Sequence, residues 1–388
     1  MLHLAVDSIG IKCSGTATVL QDFLAAAIAD PRLSRITLFC SPRSTRDFDI
    51  PRSGKIVEVE EPLAEKSYVY RLWWYQRRLA LKVREIGAHG LFCMNGAGVG
   101  PASVSQVTFI QQSLPYYPEA QRQFDLRGRL KISMIRLMHR QACRAGSAIL
   151  VQTPTMSREI SSAFKIPTER IHAILPSASP LRRGQQPSER LSQMRATPSG
   201  ARLLYVDNRW PYKNLQVAIE AMRSIRASMA DATLFVTWPQ DDQRLTGQDH
   251  VVGLGYLRDG ALREAYEMAT ALIMPSLSET VGLPMLEAMS VGTPVLAADR
   301  PYAHDVCEDA AIFFDPKSSE NLAEKAINLL SNRSLLAEMS KKGAALIRKR
   351  TGANPYHRMV DVIIKNLNRL ANETALGLQG DEISLGAQ

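Results

Sequence analysis

Two glutamates eight positions apart, Glu279 and Glu287, bracket a Gly-Leu-Pro tripeptide in the stretch PSLSETVGLPMLEAMSVGTPV, residues 275–295. Carboxylates accept hydrogen bonds, and the hydroxyls of sugars and riboses donate them. The stretch reads as a strand end, a loop and a helix. Pro284 suits the first helical turn, where its missing N–H costs nothing. Gly292 suits the left-handed position after the helix, and Pro294 blocks continuation. Gly282 lets the backbone approach a ligand closely. The N–H groups expected to be free around Val281–Leu286 then form an anion site fit for a diphosphate. One carboxylate lies ahead of that site and one behind it. Outside this setting, Glu287 would merely complement the helix dipole and Glu279 would be a solvated loop residue.

A second stretch, DNRWPYKN at 207–214, follows an apolar run at 203–206. Asn214 is a good N-cap for a helix starting at Leu215. Lys213 and Arg209 then sit near the positive end of a helix, where cations are disfavoured. A bound anion removes that conflict, so both are candidate diphosphate ligands, with Asn208 beside them. The competing reading of Arg209 is a surface-loop arginine.

These residues need elements to hold them. Short β-rich runs at 2–6, 36–39, 90–93, 107–110 and 148–151 alternate with helical patterns in the first half. The second half repeats the alternation, with strands expected at 203–206, 233–237, 271–274 and 294–298. Strand–helix alternation predicts parallel sheets covered on both faces, and right-handed crossovers make each half doubly wound. The chain of 388 residues suits two such domains. The expected boundaries are a first domain over 1–178, a breaker-rich linker over 179–201 and a second domain over 202–354. A terminal helix over 355–371 can cross back to the first domain, and a polar tail over 372–388 is expected to be disordered.

Composition narrows the class. With 45% hydrophobic and 22% charged residues the chain is that of a soluble globular protein. No stretch approaches the roughly 20 apolar residues that span a bilayer. Five scattered cysteines without Cys-x-x-Cys spacing read as free thiols in a reducing compartment, and no metal cluster is evident. The net charge of +9 is uneven: residues 1–175 hold 23 basic against 14 acidic side chains, and the remainder is balanced. The basic first half fits either an anionic lipid or acceptor surface or a merely solvated face. Its aromatic and arginine-rich runs at 68–79 and 126–144 read either as interfacial helices or as core helices with a basic outer face. No nucleic-acid-binding fold accompanies them.

The 275–295 stretch resembles the Glu-x7-Glu signature of retaining glycosyltransferases of family four, which have the GT-B fold. The resemblance extends through Leu296 and through 305–316, ending AIFFDP, and weaker similarity runs from Leu2 to about Leu370. It implies an α/β, GT-B architecture: two doubly wound Rossmann-like domains facing each other across a cleft, the first on the acceptor side, the second holding the nucleotide-sugar donor. It implies that Glu279 contacts the donor sugar, that Glu287 holds the ribose hydroxyls, and that the backbone near Val281, Gly282 and Leu283 meets the phosphates. Lys213 and Arg209 would take the diphosphate without a metal. The family usually has Gly after the strand and then Arg. Here Asp207-Asn208-Arg209 stands instead, which makes Lys213 the safer assignment.

In the first half, the family's Gly-rich loop after the first strand corresponds to Ser14 and Gly15. Family members often carry His-Asp or a similar pair after the fourth of these first-half strands, where this chain has Gln111 and Gln112. Neither glutamine ionises, so neither can be a general base. That speaks against a nucleophile from this loop and suits proton acceptance by the departing phosphate, with Gln111 or Gln112 orienting substrate. His304 is a further candidate donor contact, against the plainer reading of a structural or exposed histidine. Trp238 and the 253–257 loop are candidates for the base. The expected reaction is sugar transfer from a nucleotide diphosphate sugar, GDP-mannose or a UDP-sugar, to a hydroxyl of a glycan or lipid-linked glycan in surface polysaccharide synthesis. The expected location is cytoplasmic, against the inner face of the membrane if associated with it. The competing readings are a GT-B sugar-nucleotide epimerase and a non-catalytic nucleotide-sugar-binding protein.

Overall fold

The computed structural model describes residues 1–11, 15–42, 50–66, 68–99, 104–177, 181, 188–257, 259–351 and 354–368. Ser14, Cys13 and the tail over 372–388 lie outside the described residues. The chain divides into two compact units.

The first unit comprises 1–112, 131–176 and the chain from Asn354 onward. Seven strands, β1 (Leu2–Asp7), β2 (Leu33–Cys40), β3 (Ile56–Glu60), β4 (Gly90–Cys93), β5 (Gln106–Ile110), β6 (Ala148–Val151) and β7 (Ile171–Ala173), form one parallel sheet in the order β3-β2-β1-β4-β5-β6-β7. The central strands are apolar runs buried along their length, as a parallel sheet covered on both faces requires. β3 and β7, the two edge strands, are additions to the five expected. β3 reads Ile-Val-Glu-Val-Glu and exposes its glutamates, so it lacks the continuous apolar run of its neighbours.

On one face the core joins Phe23 and Leu24 of the helix Gly15–Ala29 to Phe92 and Phe109. The same core takes in Tyr356, Met359, Val360, Ile363, Ile364 and Leu367 from a helix over 355–368. Arg32 pairs with Asp361 of that helix. The opposite face packs Trp74, Tyr75, Leu79 and Val83 on Phe39 and Leu91.

The second unit comprises 113–130 and 177–353. Its strands β8 (Arg202–Tyr205), β9 (Thr233–Val236), β10 (Val251–Gly253), β11 (Ala271–Met274), β12 (Val295–Ala298) and β13 (Ala311–Phe314) run parallel in the order β10-β9-β8-β11-β12-β13. The helices Leu215–Ser228 and Ser319–Ser331 close one face through Met222, Ile225, Leu322 and Leu329. Each half is therefore α/β and doubly wound.

Two boundaries differ from those expected. Residues 113–130, expected in the first domain, group with the second unit. Glu119 there accepts from Arg300 at 2.6 Å and pairs with Lys317 at 3.2 Å. Part of the expected linker is folded: Leu191 and Met194, in a short helical stretch ending at Ala196, are fully buried. Arg195 is anchored there on Glu264 at 2.6 Å.

Candidate donor site

The second unit brings Lys213 and Glu279 together, from loops 66 residues apart in sequence. Lys213 Nζ donates to Glu279 Oε1 at 2.5 Å, and both side chains are nearly buried. The loops arrive there because β8 and β11 are neighbours in the sheet and each loop leaves the carboxyl end of its strand. That edge is where open α/β sheets bind ligands. Leu277 N–H donates to Tyr212 C=O at 2.9 Å and ties the loops directly. Burial alone would lower the pKa of the Lys213 ammonium, but the Glu279 carboxylate outweighs it and holds that pKa above its ordinary value. Lys213 is therefore a fixed cation across the physiological range.

The helix Leu283–Ser290 begins beside this pair. Gly282 is its N-cap at φ 75°, a left-handed conformation that a side chain resists. A Cβ there would stand 2.8 Å from Met285 Cε, and its position lies 3.6 Å from Glu279 Cγ. The helix start, Glu279 and the Lys213 ammonium thus share one small region. An unsatisfied helix N-terminus and a buried cation together favour a polyanion.

Glu287 is the fifth residue of the helix, past its first turn. Tyr266 hydroxyl donates to its Oε2 at 2.7 Å. Burial pushes its carboxyl pKa up, and the Tyr266 hydrogen bond pulls the other way. The carboxylate is thus pre-oriented by a tyrosine that sequence reasoning did not single out.

One expectation is corrected in part. Asn214 stands at the N-cap of the helix Leu215–Ser228, but its backbone is left-handed at φ 59° and its side chain makes no capping bond. Its amide instead donates to Pro275 C=O at 3.2 Å and Pro316 C=O at 2.8 Å, fastening the loops after β8, β11 and β13. Arg209 stands in the loop after β8. It is exposed, has φ 66°, and lies 3.6 Å from Asp242. Asn208 is also exposed.

Asp207 organises this loop. Its carboxylate accepts from Trp238 Nε1 at 2.6 Å, from Arg209 N–H at 2.5 Å and from the Tyr205 hydroxyl. Arg244 stacks its guanidinium 3.8 Å over the Trp238 ring. Trp238 itself is buried, so any base contact there would fall to Arg244 or to the exposed Tyr256. His304 is exposed, hydrogen-bonded to Asp299 at 2.7 Å and stacked on Phe313. No cluster of three His, Cys, Asp or Glu side chains that could hold a metal ion occurs among the described residues.

In the first unit, Gly15 opens the helix Gly15–Ala29. Gln111 spends its amide on Met94 C=O at 2.8 Å, and Gln112 is exposed. The carboxyl end of β1 carries a residue that the motif reading passed over, Asp7. It is fully buried, and Asn95 Nδ2 donates to it at 3.1 Å. Burial pushes its carboxyl pKa up to about 7, against opposing hydrogen bonds from Ile9 N–H, Asn95 and Tyr75 and the charge of Arg71. The four described cysteines are free and buried. No described helix is long and apolar enough to cross a membrane.

Residues 194–346 match the model of the family described as glycosyl transferases group 1. Over 267 residues the chain is 26% identical to the O-antigen chain mannosyltransferase RfbU of Salmonella typhimurium, covering 66% of this chain and 67% of that one. The structure of WaaG, a glycosyltransferase involved in lipopolysaccharide biosynthesis, superposes with a TM-score of 0.71 at 16% identity, covering 93% of this chain and 99% of that one. Anabaena HepE, solved with UDP and glucose, gives 0.62 at 14% identity, covering 97% and 100%. The fold is accordingly GT-B.

Proposed function

We propose that this chain, a group 1 glycosyltransferase through residues 194–346, moves a sugar from a nucleotide diphosphate sugar to a hydroxyl of a glycan or lipid-linked glycan with retained anomeric configuration. The observation that carries the reading is the Lys213–Glu279 pair, 2.5 Å apart and nearly buried, beside a helix that opens at a left-handed glycine. A diphosphate docked there meets a fixed cation and free backbone N–H groups. Glu279 is then placed to accept from a sugar hydroxyl and Glu287 from the ribose.

In the reaction the bond between the sugar's anomeric carbon and the diphosphate oxygen breaks. The acceptor oxygen bonds to the same carbon from the same face, and its proton passes to the departing phosphate oxygen. Lys213 and the helix N-terminus stabilise the negative charge that develops on the diphosphate. No metal ion is needed for this, and Gln111 and Gln112 serve orientation only. GDP-mannose and UDP-sugars are the donors to test. The relatives named for O-antigen and lipopolysaccharide synthesis support a surface-polysaccharide acceptor.

We also place the basic first unit against anionic lipid at the inner face of the membrane. The helix Leu126–Ala145 enters this unit at Lys131 and carries four basic and no acidic residues from there on, and Leu137 on it is 63% exposed. A solvated helix gains nothing from so exposed a leucine, whereas an interfacial one does. Cosedimentation with phosphatidylglycerol vesicles, lost in 0.5 M salt, is the expected result.

The functional test is transfer of labelled sugar from GDP-mannose or UDP-glucose to a lipid-linked acceptor, in EDTA, with the product's anomeric configuration read by NMR. Wild-type transfer lost in Glu279→Ala supports the reading. Isomerised donor without acceptor would make the chain an epimerase, and inertness with every donor would make it a binding protein.

A further inference from the structure

We infer that Ser113 and Phe124, on the segment 113–130, are positioning residues of the donor site, an inference that rests on the donor reading above. The segment follows β5 in sequence yet folds with the second unit, and it touches that unit's ligand-facing loops at two separate points. Ser113 and Ser278, both buried, share a hydrogen bond of 2.7 Å between their hydroxyls. Ser278 immediately precedes Glu279, so the bond fixes the backbone from which the sugar-facing carboxylate projects. Phe124 packs its ring 6.2 Å from Tyr212, the planes inclined by 29°, and 6.1 Å from Trp210. Tyr212 in turn lies under the Lys213 ammonium, 5.6 Å from ring centre to Nζ. Ser113 therefore buttresses the Glu279 side of the site and Phe124 the Lys213 side.

The two ion pairs of Glu119, with Arg300 and Lys317, anchor the segment between these points. Neither Ser113 nor Phe124 carries a charge, so neither can hold a diphosphate by itself. Their effect on ligands passes through Glu279 and Lys213.

This division of labour has a signature that ordinary packing lacks. Glu279 grips the sugar, which a bare nucleoside diphosphate does not have, whereas Lys213 grips the diphosphate common to both ligands. Ser113→Ala, Ser113→Thr, Phe124→Leu and Phe124→Tyr are titrated calorimetrically with GDP, GDP-mannose, UDP and UDP-glucose. For the pair that the wild type binds, Ser113→Ala weakens the nucleotide sugar about fivefold, the worth of one hydrogen bond, and leaves the bare diphosphate unchanged. Ser113→Thr, which keeps the hydroxyl, restores it. Phe124→Leu weakens both ligands alike by about the same factor, and Phe124→Tyr restores both.

Wild-type affinities in all four variants would overturn the inference while leaving the donor reading intact. So would equal weakening of both ligands by Ser113→Ala. A wild type that binds none of the four ligands would overturn the donor reading itself and the inference with it. Circular dichroism of each variant identifies any that fail to fold, and the conservative partner at the same position then decides.

Discussion

Asp7 makes the stability of the first unit depend on pH in a direction opposite to that of a salt-bridged carboxylate, and Asp7→Asn exposes the effect. In the folded chain its carboxyl pKa rises from 3.8 to about 7 because burial penalises the charge. A group whose native pKa is raised is protonated in the native state across the interval where the unfolded chain has already lost the proton. Stability therefore falls as pH climbs from about 4 to about 7 and is level above that. A rise of this size corresponds to about 4 kcal/mol, an upper limit because denatured chains also bury some surface. Asparagine keeps the shape and the acceptor for Asn95 but never ionises. Its own substitution penalty is independent of pH. Hydrogen-exchange mass spectrometry on peptides covering β1, β4 and β5 reports the first unit alone, once the pH dependence of intrinsic exchange is divided out. The opening free energy of Asp7→Asn relative to wild type should rise by up to about 4 kcal/mol between pH 4 and pH 7.5. A difference that stays flat across this range would refute the argument that burial governs this carboxyl.

Further tests probe the second unit and the terminal helix. Lys213→Met alone strands Glu279 in a nearly buried place and should cost about 3 kcal/mol by thermal unfolding; adding Glu279→Gln should recover most of that loss without restoring transfer. Tyr266→Phe removes the 2.7 Å hydrogen bond to Glu287, costing about 1 kcal/mol. It also lets the Glu287 pKa rise further, so the acidic limb of nucleoside-diphosphate binding should move to higher pH in calorimetric titrations. Gly90→Ala places a Cβ 2.1 Å from Leu367 Cδ2 and 2.9 Å from Ser105 C=O. It should loosen the helix over 355–368 at a cost of about 2 kcal/mol, seen as faster tryptic cleavage within that helix.

The central strands of both sheets were legible because each is an apolar run between helical patterns. β3, β7, β10 and β13 were not: each lies at a sheet edge, and β7 and β10 have three residues apiece. The helix at Leu283 was readable from Pro284 and Gly292, since both act through local backbone geometry. Asn214 misled because the rule for helix caps is local, while its amide was claimed by carbonyls 61 and 102 positions away in sequence. Charge type marked Arg209 as a candidate phosphate ligand; what the sequence did not show is that three donors converge on Asp207, one of them the Arg209 N–H, and that the side chain lies near Asp242. Ser113 and Phe124 left no trace in the sequence, because nothing in the residues after β5 announces that they pack on loops more than eighty positions downstream.

The first unit draws its core from stretches that are far apart along the chain, with Tyr356 to Leu367 supplying one wall. A ribosome making this protein finishes residues 177–353 before that wall exists. The second unit can fold while the first still shows the flank of β1, β4 and β5 to water. Nascent chains arrested before Asn354 should therefore engage chaperones through that flank, and synthesis of the last helical turns should release them.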